Sequence, residues 1–299
     1  MSDHGHDHSH SHAPTSLKSL LGVIALTGTI FFAELIAGFI SGSLALLSDA
    51  MHMLSDSTGL ILALLAMLVG RRPPSNRATF GHRRVEVLAA AINAVAVTLI
   101  SVWIVVEALR RFGQGTEIDT STMLVVAVIG LIANGISAMI LTRRQHDSLN
   151  MKGAYLHVLS DLLGSVAVIV AGLIIKFTGF VAADTIASLI IAALVIPRSV
   201  ALARTSVRVL LNQVPEGVDT QEVERRLRAV PGVCEVHDLH LWSTDGNEAL
   251  VTCHLVVRRG SYSQVLDAAQ ATLREMGIEH STIQVEEPGH KGHEQVCGH

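Results

Sequence analysis

Six stretches of mostly apolar residues, at 17–40, 44–69, 85–109, 121–142, 153–176 and 181–204, dominate the sequence. A bilayer core is crossed by a helix of about 20 apolar residues. Each stretch is long enough, and six of them leave little choice but a membrane-embedded helical body. Composition agrees: only 16% of residues are charged and the mean hydropathy is +0.46, against about 25% charged in soluble chains. Ser41-Gly42-Ser43 is all that separates the first two stretches, so they predict a tight hairpin. Arg71-Arg72-Pro73-Pro74 ends the second firmly, because paired prolines cannot continue a helix. Pro197 predicts a kink or an early end in the sixth.

Charge separates the chain into two parts. Residues 1–210 carry a net +3, whereas 211–299 carry a net −7. An acidic polar domain after a hydrophobic body argues against nucleic acid and suits cations. Within 211–288 the pattern reads α-β-β-α-β: a helix over Val218–Val230, strands over Val233–Ser243 and Glu248–Arg258, a helix over Tyr262–Met276 and a strand over Ser281–Glu286. The expected fold class is a polytopic α-helical membrane protein with six transmembrane helices and a C-terminal α+β, ferredoxin-like cytoplasmic domain. Its parts are a disordered His-rich tail (1–16), the membrane body (17–210), the polar domain (211–288) and a His/Cys-containing tail (289–299).

Lys and Arg in the short loops set the orientation. Arg71, Arg72, Arg77, Arg83, Arg84, Arg143, Arg144 and Lys152 lie on one side, and Arg110, Arg111 and Lys176 on the other. Both termini are therefore expected in the cytoplasm of a cell with this protein in its inner membrane. Cys234, Cys253 and Cys297 form no disulfide framework, in keeping with a reducing compartment. The N-terminus opens with a histidine run instead of a cleavable signal pattern.

The second and fifth stretches contain groups that a bilayer normally excludes. His52-Met53-Leu54-Ser55-Asp56 and His157-Val158-Leu159-Ser160-Asp161 differ at one position. Spacing i, i+4 puts each His and its Asp on one helix face. Ionisable groups at membrane depth are costly and mark ion pathways. If the two faces meet, two imidazoles and two carboxylates form a tetrahedral set suited to Zn²⁺ or its neighbours Co²⁺ and Cd²⁺, and unsuited to Mg²⁺ or Ca²⁺. Asp49 lies off that face. Asp49, Glu34 and Asp184 are candidates to orient the ligands or handle protons.

In the polar domain, Asp245-Gly246 is a strong two-residue hairpin signal. A turn there sets His237 opposite His254, with Cβ atoms about 5 Å apart. Glu286 on the last strand is a third candidate ligand, and His240, of opposite parity, is expected on the other face. His4, His6, His8, His10 and His12 alternate with small or acidic residues in a tract that cannot build a core and reads as a zinc collector. His290, His293, Cys297 and His299 are candidates for the same role, and Cys297 and His299 for completing a site at His237 and His254.

The paired HxxxD segments, the run Thr79-Phe80-Gly81-His82-Arg83 and the run Val236-His237-Asp238-Leu239-His240-Leu241-Trp242 resemble the cation diffusion facilitators, specifically the bacterial zinc exporters among them. The likeness covers essentially the whole chain. It implies a homodimeric antiporter, not an enzyme, that moves Zn²⁺ out of the cytosol against protons. It implies transport at His52, Asp56, His157 and Asp161, with His52 favouring zinc over cadmium. It also implies zinc as a regulatory ligand of the cytoplasmic domain and a loop metal site at His82. Other readings make different demands. An intramembrane metalloprotease needs an HExxH or comparable base, which the sequence lacks. A passive channel predicts flux indifferent to the proton gradient, and a metal sensor has no use for doubled ligands within the bilayer. A broader exporter of Cd²⁺, Co²⁺, Ni²⁺ or Fe²⁺ remains the nearest alternative.

Overall fold

The computed structural model describes residues 13–55, 75–113, 117–142, 149–246, 248–258 and 262–290, with side chains on the fifth helix described from Val158 onward. Its helices are α1 (Ala13–Ser41), α2 (44–55, where description stops), α3 (Arg83–Arg111), α4 (Thr120–Thr142), α5 (Leu149–Thr178) and α6 (Ala182–Leu210). Helices α7 (Thr220–Arg228) and α8 (Tyr262–Glu275) and strands β1 (Val233–Ser243), β2 (Ala249–Val257) and β3 (His280–Glu286) follow. The chain forms two compact units, one of Met1–Leu64 with Asn93–Val200, the other of Leu65–Ile92 with Ala201–His299.

The first unit is a helical bundle with its apolar surface turned outward. Phe32, Phe39, Leu99, Trp103, Ile132, Leu163, Ile190 and many similar side chains are exposed on its helices, a pattern that water would not tolerate and lipid requires. Four helices, at Arg83–Arg111, Thr120–Met139, Val158–Thr178 and Ala182–Leu210, have the length and apolarity to cross a membrane. Inside, Ala37, Leu46, Val97, Met123, Ala127, Val168, Ala187 and Val195 form a packed centre of small and medium side chains. Small residues let membrane helices approach closely. A Cβ at Gly38 would lie 2.8 Å from the Leu47 side chain across the α1–α2 hairpin.

Most element ends move by a few residues from the sequence reading, and two of these shifts involve prolines. Helix α1 begins at Ala13, inside the stretch expected to be tail. Pro14 falls in its first turn, where the missing N–H has no helical partner to lose. Helix α6 runs through Pro197 to Leu210, well past the expected end at 204. Prolines are tolerated within membrane helices because neighbouring groups satisfy the freed backbone.

In the second unit, the sheet has the order β1-β2-β3, with β1 and β2 antiparallel and β2 and β3 parallel. The α8 crossover between β2 and β3 supplies the parallel pairing, as such connections must. One face packs on α7 and α8 through Val236, Leu241, Val251, Cys253, Leu255, Val223, Leu227, Ala269 and Leu273. Asp219 caps α7, accepting a hydrogen bond from the Gln221 N–H at 2.9 Å. Arg83, at the start of α3, donates to Asp245 at 3.1 Å and to Glu248 at 2.5 Å, tying the hairpin loop down.

The hairpin register is richer than a two-residue turn. Ser243 pairs with Ala249, so the loop spans 244–248 and is longer than Asp245-Gly246. A bulge between His237 and His240 then absorbs the difference, and His237 faces His254 as expected. Asp238, inside the bulge, takes the left-handed backbone with φ +48°. The extra residue reverses parity beyond it. His240 pairs with Thr252 and shares the His237–His254 face, which corrects the expectation that it points the other way.

Candidate metal centres

His52 on α2 and Asp161 on α5 come together within the bundle. His52 is 5% and Asp161 1% exposed, and the imidazole Nε2 lies 3.9 Å from the carboxylate Oδ1. Each pentapeptide thus contributes one member to a buried pair. Asp56 lies outside the described residues, and His157 sits one turn before Asp161 on α5 with its side chain undescribed. Among described atoms, an imidazole nitrogen and a carboxylate oxygen from two helices stand at a separation that a metal ion can bridge.

The three neighbouring acids take separate places. Asp49 is buried against α5, where the Ser165 hydroxyl donates to Oδ2 at 3.4 Å. Glu34 is fully buried on α1, beside Gly130 of α4. Asp184 belongs to another part of the bundle and caps α2: Leu44 N–H and Ala45 N–H donate to it at 2.8 and 3.1 Å, and the Ser43 hydroxyl at 2.5 Å. Its charge answers the exposed donors and positive end of that helix.

On the open face of the sheet, His237, His254 and Glu286 bring one ligand atom each within 4.8 Å of one another. His254 Nδ1 lies 2.9 Å from Glu286 Oε1, and His237 Nε2 3.5 Å from Glu286 Oε2. The two imidazoles stand edge to face with centroids 5.2 Å apart. Glu286 is 4% exposed and is further held by the Gln284 amide at 3.1 Å. Two imidazoles and a carboxylate match the donors of a three-ligand zinc site with a fourth position open. It is the sole such group among the described residues.

The bulge adds what the sequence reading missed. Asp238 Oδ1 lies 3.0 Å from His240 Nε2, and its Oδ2 3.8 Å from His254 Nε2. The carboxylate therefore hydrogen-bonds His240 and lies near His254 on one face, and such carboxylates orient imidazoles around metals. The sequence signal was there, an Asp between two histidines, but only the bulge turns all three to one side. His82 stands in the turn before α3, outside any cluster of potential ligands among the described residues. His4, His6, His8, His10, His12, His293, Cys297 and His299 lie outside the described residues. Burial pushes the Cys253 thiol, on the core side of β2, up to about 12.

A multi-pass helical body with a buried His–Asp pair, followed by a small sheet domain carrying a second ligand cluster, defines a membrane transporter of metal cations. Comparison with known proteins agrees. Residues 20–211 match the cation efflux transmembrane domain, and residues 215–288 the cation efflux protein cytoplasmic domain. The chain belongs to the cation efflux family, the cation diffusion facilitators, which are transporters and not enzymes. It is 43% identical over 272 residues to the metal cation efflux system protein CzcD of Cupriavidus metallidurans, covering 90% of this chain and 86% of that one. It is 41% identical over 305 residues to the zinc transporter ZitB of Escherichia coli, covering 99% and 97%. It is 39% identical over 277 residues to a cadmium, cobalt and zinc/H⁺-K⁺ antiporter of Bacillus subtilis, covering 91% and 89%.

Proposed function

We propose that the protein exports Zn²⁺ from the cytoplasm in exchange for protons, by alternating access around His52, Asp56, His157 and Asp161. The buried His52–Asp161 pair carries the reading. Histidine ligates a metal only when neutral, and an imidazole ordinarily titrates near pH 6.5. Metal and protons therefore compete for the same nitrogens, and a site built from them releases one as it takes the other. Inward protons also gain about 2.3 kcal/mol per charge per 100 mV of membrane potential. The zinc named for one relative and the proton antiport named for another support the same pairing of ions.

In this reading, the cluster of His237, His254 and Glu286 is a regulatory zinc site in the cytoplasmic domain, with Asp238 near His254. Both termini face the cytoplasm, the His-rich tails gather zinc, and the chain works as a homodimer joined through its sheet domain. A broader divalent specificity is the second reading, favoured by the cadmium and cobalt in the name of the Bacillus subtilis relative.

The test is zinc uptake into inside-out vesicles containing the full chain. Uptake should accelerate when the interior is made acidic and should alkalinise that interior as zinc enters. Zinc entry with no proton movement contradicts antiport and leaves a passive pathway.

A further inference from the structure

Beside the His52–Asp161 pair, the bundle buries two more carboxyl groups that the metal site does not use. Glu34 is 0% exposed, and among the described residues neither of its carboxylate oxygens meets a hydrogen-bond donor. Asp49 is 1% exposed, with one oxygen toward Ser165 and the other without a donor among the described residues.

The packing is shaped to hold these groups. A Cβ at Gly130 would stand 2.6 Å from Glu34 Oε1 and 3.5 Å from the Ser165 hydroxyl. A Cβ at Gly164 would overlap the Asp49 carboxyl. Two glycines on two helices thus clear the space that the carboxyl groups occupy, Gly130 for Glu34 and Gly164 for Asp49. The buried ionisable groups of α1, α2, α4 and α5 among the described residues are Glu34 from α1, Asp49 and His52 from α2 and Asp161 from α5. No Lys or Arg reaches Glu34 or Asp49 among the described residues. A carboxyl group buried without hydrogen-bond donors is costly to keep ionised, because an apolar interior does not replace the water it loses. All the donor atoms are oxygens, with no imidazole in the Glu34–Asp49–Ser165 set, so that set does not match the donors zinc prefers.

We propose that Glu34 and Asp49 form a proton-holding site distinct from the metal site and carry a proton exchanged for zinc. This rests on the antiport reading. As zinc binds at His52 and Asp161, the carboxyl pair gives up its O–H proton to the cytoplasm. As zinc leaves on the far side, a proton from that side re-forms the O–H bond. That proton offsets one of the two positive charges that zinc brings to the bundle and takes away.

The experiment uses the full chain in proteoliposomes, with a zinc dye and a pH dye read together, and equilibrium zinc titration alongside. Glu34→Gln should keep the zinc affinity of the wild type while the protons moved per zinc fall and uptake loses its acceleration by a pH gradient. An unchanged proton-to-zinc ratio in Glu34→Gln overturns the proposal, as does a loss of zinc affinity, which would make Glu34 a ligand. Coupling that follows a K⁺ gradient in the wild type and disappears in Glu34→Gln would make K⁺ the ion held there and overturns it too. If Glu34→Gln does not assemble, Asp49→Asn replaces it: a lowered proton-to-zinc ratio at wild-type zinc affinity supports the proposal, and an unchanged ratio overturns it. A wild type that moves no protons with zinc contradicts the antiport reading itself, a result separable from failure of the variant alone.

Discussion

The membrane bundle and the cytoplasmic sheet each assemble histidines and carboxylates, but they do so by different geometry. In the bundle, His52 and Asp161 come from two helices and meet in an apolar interior, where a ligand that is not satisfied is costly. On the sheet, His237, His254 and Glu286 come from three adjacent strands and stand on a face covered by neither α7 nor α8. A site enclosed between membrane helices suits carriage of an ion. A cluster fixed by strand pairing suits sensing one. The difference is in what surrounds the ligands more than in what the ligands are.

The comparison can be broken at either end. Replacing Asp161 by Ala should weaken zinc binding at the membrane site by about 100-fold or more, since even residues behind the ligands are worth 10–100-fold. An equilibrium zinc titration of the full chain, read against the wild type, checks this. His254→Ala should weaken zinc binding at the sheet cluster by roughly 10- to 100-fold. The same titration should then show the Asp161-dependent binding untouched. If either substitution disturbs both classes of binding, the two regions are not separate sites.

Smaller effects sharpen the contrast between the covered and open faces of the sheet. Cys253 is buried beneath it, and its thiol is held near 12. Cys234 is exposed on β1. At pH 8, iodoacetamide should label Cys234 and leave Cys253 unmodified until the domain unfolds, as peptide mapping by mass spectrometry would show. The smallest effect concerns α7. Hydrogen bonds from Arg225 and then Arg226 bring the Glu222 carboxyl from its usual 4.5 down to about 2. A value lowered in the folded state contributes stability above the unfolded value and loses it as pH falls through the folded one. Thermal melts should therefore show an acid-side decline between about pH 4.5 and 2 that is slightly shallower in Glu222→Gln.

Helical periodicity made each pentapeptide legible, since His-x3-Asp puts its two members on one helix face. Which members meet across α2 and α5, here His52 and Asp161, depends on how the helices pack. The sheet cluster was legible for a reason that was partly wrong. The loop is longer than Asp245-Gly246, which shifts the register one way, and the bulge at Asp238 shifts it back. His237 and His254 met because the two departures cancel. His240 lies beyond the bulge, toward the loop, where only one of them acts, so it falls on the face the sequence did not predict. Nothing local to Asp238 announces its left-handed backbone. Asp184 was ambiguous because the helix end it caps lies far away in the chain, at Leu44 and Ala45. The Glu34–Gly130 contact was invisible for the same reason: a glycine's purpose depends on what fills the space it leaves.

The central claim is that zinc travels through the bundle and is only sensed on the sheet. The most direct measurement is pH-gradient-driven zinc uptake into inside-out vesicles, with Asp161→Ala and His254→Ala side by side at matched protein levels. Abolished uptake in Asp161→Ala, with gradient-driven uptake retained in His254→Ala, is the result expected. Normal uptake in Asp161→Ala, or its abolition in His254→Ala alone, would move the transport site to the cytoplasmic domain and contradict the account.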